Sequence, residues 1–202
     1  MIEIKNVSKS FEEKRVFEDF NMKIDSGEFV VFAGKSGCGK TTLLNMIGGL
    51  EKPDKGSILV DGKDIFSGKN RKHFYTYQVG FLFQNFALVE NKTVRQNMEL
   101  VQKKARTEKS IEEILESVGI PDKMDTKVYK LSGGEQQRTA LARLMYKKCN
   151  LILADEPTGS LDEGNAREVM KILHIMNREG KTVILVTHNE KIINEEKRVV
   201  ML

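Results

Sequence analysis

A chain of 202 residues is long enough for one compact α/β domain with a small inserted subdomain, and short for two independent domains. With 40% hydrophobic and 31% charged residues it can bury a core, and a net charge of +4 allows contact with an acidic surface without pointing to nucleic acid. Two distant cysteines, Cys38 and Cys149, and three histidines in no shared spacing argue against a disulfide scaffold and a zinc site; no run approaches the ~18 apolar residues of a spanning helix, and residues 1–5 lack the apolar run of a signal peptide.

In chain order, Ile2 and Ile4 open short alternating stretches that resume at Ile58-Leu59-Val60, with turns at Asp25-Ser26-Gly27 and Asp61-Gly62. These predict a small antiparallel sheet beside the main core. Four short apolar runs, 29–33, 79–83, 151–154 and 183–186, predict buried strands. Helical stripes lie between them: Leu43, Leu44 and Ile47; then Ile111, Ile114, Leu115 and Val118, stopped by Gly119 and Pro121. A third stripe, Val169, Ile172, Leu173 and Met176, starts after Asp162 and stops at Gly180, with His174 off the stripe and expected at the surface. The basic clusters Lys69-Asn70-Arg71-Lys72 and Lys103-Lys104-Ala105-Arg106 read as a solvated loop and a helix end. Strands alternating with helices predict a mainly parallel, doubly wound sheet.

Gly34-Lys35-Ser36-Gly37-Cys38-Gly39-Lys40-Thr41 fits the G-x-x-x-x-G-K-[ST] phosphate loop between a strand and a helix, with Thr42 following. Glycines let successive N–H groups converge on phosphate oxygens, and the helix N-terminus adds positive potential. Lys40 is expected to reach the β- and γ-phosphates, and the Thr41 hydroxyl to ligate Mg²⁺. Strand 151–154 runs into Asp155-Glu156-Pro157, at the carboxyl end where such sheets bind ligands. Asp155 is the second candidate metal ligand, and Glu156 the candidate base for an attacking water. Cys38 reads as a small residue tolerated in the loop. The expected fold class is therefore α/β: a P-loop NTPase core with a mainly parallel sheet, a flanking antiparallel β subdomain and an inserted helical subdomain. One domain is expected over 1–202, with core segments 1–84 and 149–202 and helical residues 85–148.

Leu131-Ser132-Gly133-Gly134-Glu135-Gln136 opens another helix, with Leu141, Leu144 and Met145 as its apolar positions. Ser132 and Glu135 have capping-box spacing, which is one reading; the other is an anion site built from Ser132 and the amides exposed by two glycines. The two readings compete for Ser132.

Phosphate loop, the 131–136 sequence, Asp155-Glu156 and Thr187-His188, in this order, resemble the nucleotide-binding subunit of an ATP-binding-cassette (ABC) transporter over essentially the whole chain. The resemblance implies an ATPase using ATP and Mg²⁺, dimerised head to tail so that Ser132, Gly133, Gly134 and Glu135 face the partner copy's γ-phosphate. By the same resemblance Gln84 contacts the metal and senses a transmembrane permease, and His188 holds the γ-phosphate. Ser160-Leu161-Asp162 links the two sites, and Phe11 stacks on adenine. A permease subunit, a second copy of the chain, membrane contact only through the permease and a cytoplasmic place on the inner face of the membrane are the implied surroundings, with no direct nucleic acid. No C-terminal regulatory domain is expected after His188. Met46-Ile47-Gly48-Gly49-Leu50, Pro53-Asp54-Lys55-Gly56 and Phe83-Gln84-Asn85-Phe86-Ala87-Leu88 are similar to the macrolide-exporter and lipoprotein-releasing branch. Leu88-Val89-Glu90-Asn91 departs from that branch towards peptide and bacteriocin exporters, so the cargo class stays open. The alternatives are an ABC ATPase acting on nucleic acid or the ribosome, a small-molecule kinase, and a non-hydrolysing dimer module.

Overall fold

The computed structural model describes residues 1–202 except Glu13 and Ser160; the Ser160 of the expected linking loop therefore lies outside the described residues. Two sheets organise the chain. The first is antiparallel, with β1 (Ile2–Phe11), β2 (Lys14–Ile24), β4 (Lys55–Val60) and β5 (Lys63–Asp64) in the order β2-β1-β4-β5. Its β4–β5 hairpin turns at Asp61 and Gly62, with φ of 49° and 72°, the left-handed pair that suits the twist of two joined strands.

The second sheet is fully parallel, ordered β6-β7-β8-β3-β9, from β3 (Phe29–Ala33), β6 (Val79–Leu82), β7 (Leu151–Asp155), β8 (Thr182–Val186) and β9 (Val199–Met201). Its central strands are apolar at nearly every position because both faces are covered. The two-residue period decides which core each side chain joins. Val30, Phe32, Leu151, Leu153, Ile184 and Val186 pack with helix α1 (Lys40–Ile47) and the antiparallel sheet. Val31, Ile152, Ala154, Val183 and Leu185 pack on the opposite face with the helical segment.

That segment contains α3 (Val94–Met98), α4 (Ile111–Ser117) and α5 (Gly133–Tyr146), separated by 3-10 turns. Each of the three starts with a complete capping box, Thr93 with Gln96, Ser110 with Glu113 and Ser132 with Glu135. Helix α6 (Glu163–Arg178) starts at Asp162, whose carboxylate accepts from the Asn165 amide at 3.0 Å. Gly180 follows the helix at φ 92°, where a side chain would be strained. No helix among the described residues is long and apolar enough to cross a membrane.

Four expectations need correction. Residues 69–72 are helical, inside α2 (Gly68–His73), which buries nothing and carries Arg71, Lys72 and His73 in its last turn, where cations favour a helix end. A π-helical turn, Phe74–Gln78, continues from it. Residues 103–105 form a 3-10 turn, with Ala105 buried rather than solvated and Arg106 donating to the carbonyls of Val101 and Glu99. Phe83 falls just past β6, which ends at Leu82. His174 is half-buried: its ring stacks on Phe29 with centroids 4.5 Å apart, and Nε2 lies 2.9 Å from the buried Glu196 carboxylate. The stretch holding Glu196, between α7 (Glu190–Glu195) and β9, covers that flank of α6.

Candidate nucleotide-binding and hydrolysis site

The phosphate loop spans β3 and α1. Its last glycine, Gly39, is the N-cap of α1 at φ 107°, and a Cβ there would stand 2.5 Å from Val16 Cγ1. Only glycine fits, in conformation and in space. No side chain caps α1, so its first amides remain for an external acceptor. The Lys40 side chain is buried along the loop, with Nζ donating to the carbonyls of Gly34 and Lys35 at 2.9 Å each and 3.8 Å from Cys38 Sγ. The chain itself thus folds the ammonium into the curve of the loop. Lys14, which sequence reasoning missed, donates to the Gly37 carbonyl at 3.2 Å.

A cleft of about 350 Å³ opens here, lined by Phe11, Ser36, Gly37, Thr41, Thr42 and Glu156 among others. Phe11 is 45% exposed at the cleft mouth. Across the floor, the Thr41 hydroxyl donates to Asp155 Oδ1 at 3.1 Å. Burial pushes the Asp155 carboxyl above its ordinary range, the Thr41 hydrogen bond and Lys40 pull it down, and Glu156 pushes it further up. A half-buried carboxylate beside a hydroxyl is a hard, all-oxygen pair. Among the described residues no three His, Cys, Asp or Glu side chains cluster as a metal cage. The pair fits Mg²⁺, which takes one or two protein oxygens and completes its shell from phosphates and water.

Glu156 follows β7 at φ 45°, a left-handed conformation that costs a non-glycine residue energy. Its amide donates to the Val186 carbonyl at 2.9 Å, which fixes the bend to β8. The carboxylate is then held from two sides: Thr187 Oγ1 donates to Oε2 at 3.3 Å, and His188 Nδ1 lies 2.7 Å from Oε1. Thr187, which the sequence marked only as the neighbour of His188, thus gains a role of its own as a donor to this carboxylate. The Glu156 side chain is 15% exposed and that of His188 73%. A shielded carboxylate oriented by an exposed imidazole at the strand end is a geometry suited to a general base.

Gln84 is exposed and does not line the cleft, although its Nε2 lies near Gly159, beside the Glu156 turn. The backbone after it is left-handed at Phe86 and Ala87. Arg143 of α5 holds both their carbonyls, donating at 3.0 and 2.7 Å. Nothing in the sequence marked Arg143, because its partners are backbone atoms 56 and 57 residues away.

Ser132, Gly133, Gly134 and Glu135 form the start of α5 and lie outside the cleft. Ser132 Oγ accepts from the Glu135 amide at 3.3 Å, and Glu135 Oε2 accepts from the Ser132 amide at 2.8 Å. That amide above all, with Lys123 further off, holds the Glu135 carboxyl below its usual range. The expected competition for Ser132 dissolves: the cap uses the hydroxyl oxygen as acceptor and leaves the hydroxyl proton to give. Asp162 joins this turn through Asn165, which receives Arg138 at 2.8 Å and bonds Asp162 at 2.5 Å. Phosphate loop, Asp155, Glu156 and His188 therefore lie together, and the 132–135 turn with Asp162 forms a separate surface.

Comparison with known proteins identifies the family. Residues 17–159 match the family described as ABC transporter. A methionine import ATP-binding protein, MetN of Clostridium acetobutylicum, is 39% identical over 96% of this chain and 62% of its own length. A macrolide export ATP-binding/permease protein, MacB of Campylobacter jejuni, is 36% identical over 99% of this chain and 32% of its own. The dimeric structure of the ATP-binding cassette MJ0796, in a post-hydrolysis state bound to ADP and Pi, superposes with a TM-score of 0.88 at 34% identity, covering 100% of this chain and 94% of that one. This chain belongs to the ABC transporter family, as an ATP-binding and ATP-hydrolysing subunit.

Proposed function

We propose that this ATPase drives a membrane exporter and that the residues above divide the work as follows. The loop Gly34, Lys35, Ser36, Gly37, Cys38 and Gly39 wraps the phosphates with its amides, Lys40 neutralises the β- and γ-phosphates, and Thr41 and Thr42 close the site beneath them. Phe11 stacks on adenine. Thr41 and Asp155, with Gln84 reaching in from beside the Glu156 turn, would hold Mg²⁺, which would supply charge neutralisation to the phosphates. Glu156 accepts the proton of the attacking water, and His188 keeps that carboxylate aimed while presenting its other ring nitrogen to the γ-phosphate. The observation that carries the hydrolytic reading is the double hold on Glu156, by Thr187 and His188, at a strained strand end facing the phosphate loop.

Ser132, Gly133 and Gly134, with Glu135 bracing the turn and Asp162 behind it, complete the pocket of a second copy in a head-to-tail homodimer. A single copy keeps the two surfaces apart, which supports that arrangement. Residues 1–202 act as one ATPase domain with 85–148 as its helical part. The permease is proposed to dock at a cleft of about 310 Å³ lined by Phe81, Phe83, Leu100, Arg143 and Lys147, beside the Gln84 loop that Arg143 holds. Leu100 is half exposed there. The subunit would thereby sit on the cytoplasmic face of the membrane and touch it only through the permease, without binding nucleic acid. Export of a peptide, bacteriocin, antibiotic or lipoprotein is favoured by the 46–50 and 83–91 sequences, which resemble the exporter branch.

The test uses Glu156→Gln with ATP and Mg²⁺. The variant is expected to release no phosphate at a measurable steady rate and to run as a dimer by light scattering, while the nucleotide-free chain runs as a monomer. Unchanged phosphate release would remove Glu156 as base; a persistent monomer, with the permease also present, would remove the shared-pocket dimer.

A further inference from the structure

Lys9 is a lysine at an inward position of a small β-sheet, its side chain only 9% exposed. Ile2, Ile4 and Val7 of the same strand are apolar and buried, so a charge here needs an explanation. Its ammonium donates to the Lys52 carbonyl at 3.0 Å and to Asp54 Oδ1 at 3.2 Å, and pairs with Glu51 Oε1 at 2.5 Å. The hydrogen bond to Glu51 is the chief cause that raises its pKa above the ordinary lysine value. These partners explain how the charge is tolerated. They do not explain its aim: Nζ also sits over the Phe11 ring, 4.9 Å from the centroid.

Two connections meet at this ammonium. Asp54 accepts from the Ser10 amide at 2.7 Å through its other oxygen, and its own amide donates to Ser8 at 2.9 Å. Residues 51–54 thus clasp the strand on either side of Lys9. They follow α1 after Gly48 and Gly49, and α1 begins with Lys40 of the phosphate loop. The tie therefore runs from the phosphate loop, along α1, through Glu51 and Asp54, to the ring at the cleft mouth. A cation on one face of an aromatic ring draws π-density towards itself. The opposite face then becomes a better partner for an electron-rich ring such as a purine.

We propose that Lys9 is a positioning residue for the nucleotide base, fixing Phe11 relative to the phosphate loop and polarising the ring for stacking on a purine. This rests on the reading of Phe11 as the base platform. It concerns the base alone, so it separates cleanly from the phosphate contacts.

The experiment measures dissociation constants of the full chain for ATP and for inorganic tripolyphosphate, which has the phosphates and no base. Lys9→Met is expected to weaken ATP about five- to tenfold while tripolyphosphate binding stays unchanged. Lys9→Arg, which keeps a cation over the ring, is expected to stay within about twofold of wild type. In a Phe11→Leu background, Lys9→Met should have no further effect on ATP. Equal weakening of both ligands would make Lys9 merely structural and overturn the proposal, as would unchanged ATP affinity. If Lys9→Met does not fold, Asp54→Asn loosens the same tie from the surface, and the same pattern is required at about two- to threefold. Wild-type chain that binds tripolyphosphate but shows no preference for ATP would remove the base platform itself; wild type binding neither would remove the nucleotide reading with it.

Discussion

The two glycine-rich turns each open a helix, yet they solve the start of that helix in opposite ways. At α1 the N-cap is Gly39, in a left-handed conformation, with no side chain bonded to the first amides. At α5 the N-cap is Ser132, extended, with a reciprocal capping box to Glu135. An uncapped start leaves several orphan N–H groups, tolerable where an anion supplies the acceptors. A capped start is stable by itself and gives an anion only what the cap leaves, here the Ser132 proton and the amides of Gly133 and Gly134. The first turn leaves amides for an anion, and the second stands without one, the division of labour that the proposed head-to-tail dimer requires.

Removing the charge at the uncapped turn should have the largest effect. Lys40→Ala deletes the buried ammonium that bridges the Gly34 and Lys35 carbonyls, leaving only the more exposed Lys14 contact to Gly37 among the described residues. Turnover is expected to fall by about 10²–10³-fold, the usual loss when a main stabiliser of transition-state charge goes. Nucleotide affinity should fall about 10- to 100-fold, measured by titration with a fluorescent ATP analogue. Wild-type affinity in this variant would mean that the loop does not cradle phosphate.

Gly133→Ala tests the other turn with less disturbance. A Cβ at Gly133 meets nothing within 4 Å in the chain, whereas one at Gly134 would press on Asn165 at 3.2 Å. Position 133 opens α5, where alanine is at least as favourable as glycine. The variant should therefore keep its melting temperature and its ATP affinity as a monomer, and lose about tenfold or more in turnover and in dimer formation with the Glu156→Gln partner change. Full activity would show that nothing packs against this turn.

Much of this pairing could be read in the residues themselves. The phosphate loop, the runs that became β3, β7 and β8, and the capping spacing of Ser132 and Glu135 are all local patterns. What stayed hidden depends on distant partners. Strand β9 is three residues long and half exposed, visible only because β3 offers it an edge. Helix α2 has no apolar stripe to announce it. Arg143 and Lys9 look like ordinary surface cations until the backbone carbonyls and carboxylates that receive them come from elsewhere in the fold. His174 broke the expectation for the same reason, since Phe29 and Glu196 reach it from other elements.

Ser132→Ala measures the cap alone and predicts a smaller change. It removes the acceptor for the Glu135 amide, worth about 1 kcal/mol at a typical N-cap, or about 2–4 °C for a chain of this size. Thermal melting without nucleotide reads this directly. The corresponding loss at α1 is absent by construction, since no side chain caps that helix. A Ser132→Ala chain that melts with wild type would mean that the box contributes nothing and that the two turns differ less than their geometry suggests.

The smallest effect belongs to Asp155, and its sign runs the other way. Burial raises its pKa in the folded chain, so the folded state favours the protonated carboxyl. The stability this gives is complete below the ordinary carboxylate pKa of 3.8 and is lost as pH rises through the raised value. At neutral pH the ionised carboxylate is a liability that a bound divalent cation would relieve. Asp155→Asn keeps an oxygen to accept from Thr41 and carries no charge, so the metal-free variant should melt about 1–2 °C above wild type at pH 7, about half a kcal/mol. That advantage should shrink as pH approaches 4. Adding Mg²⁺ with ATP should reverse the order, stabilising wild type more than the variant. A variant that melts below wild type without metal, or that gains equally from Mg²⁺ and ATP, would show that Asp155 is held for the fold and not for the cation.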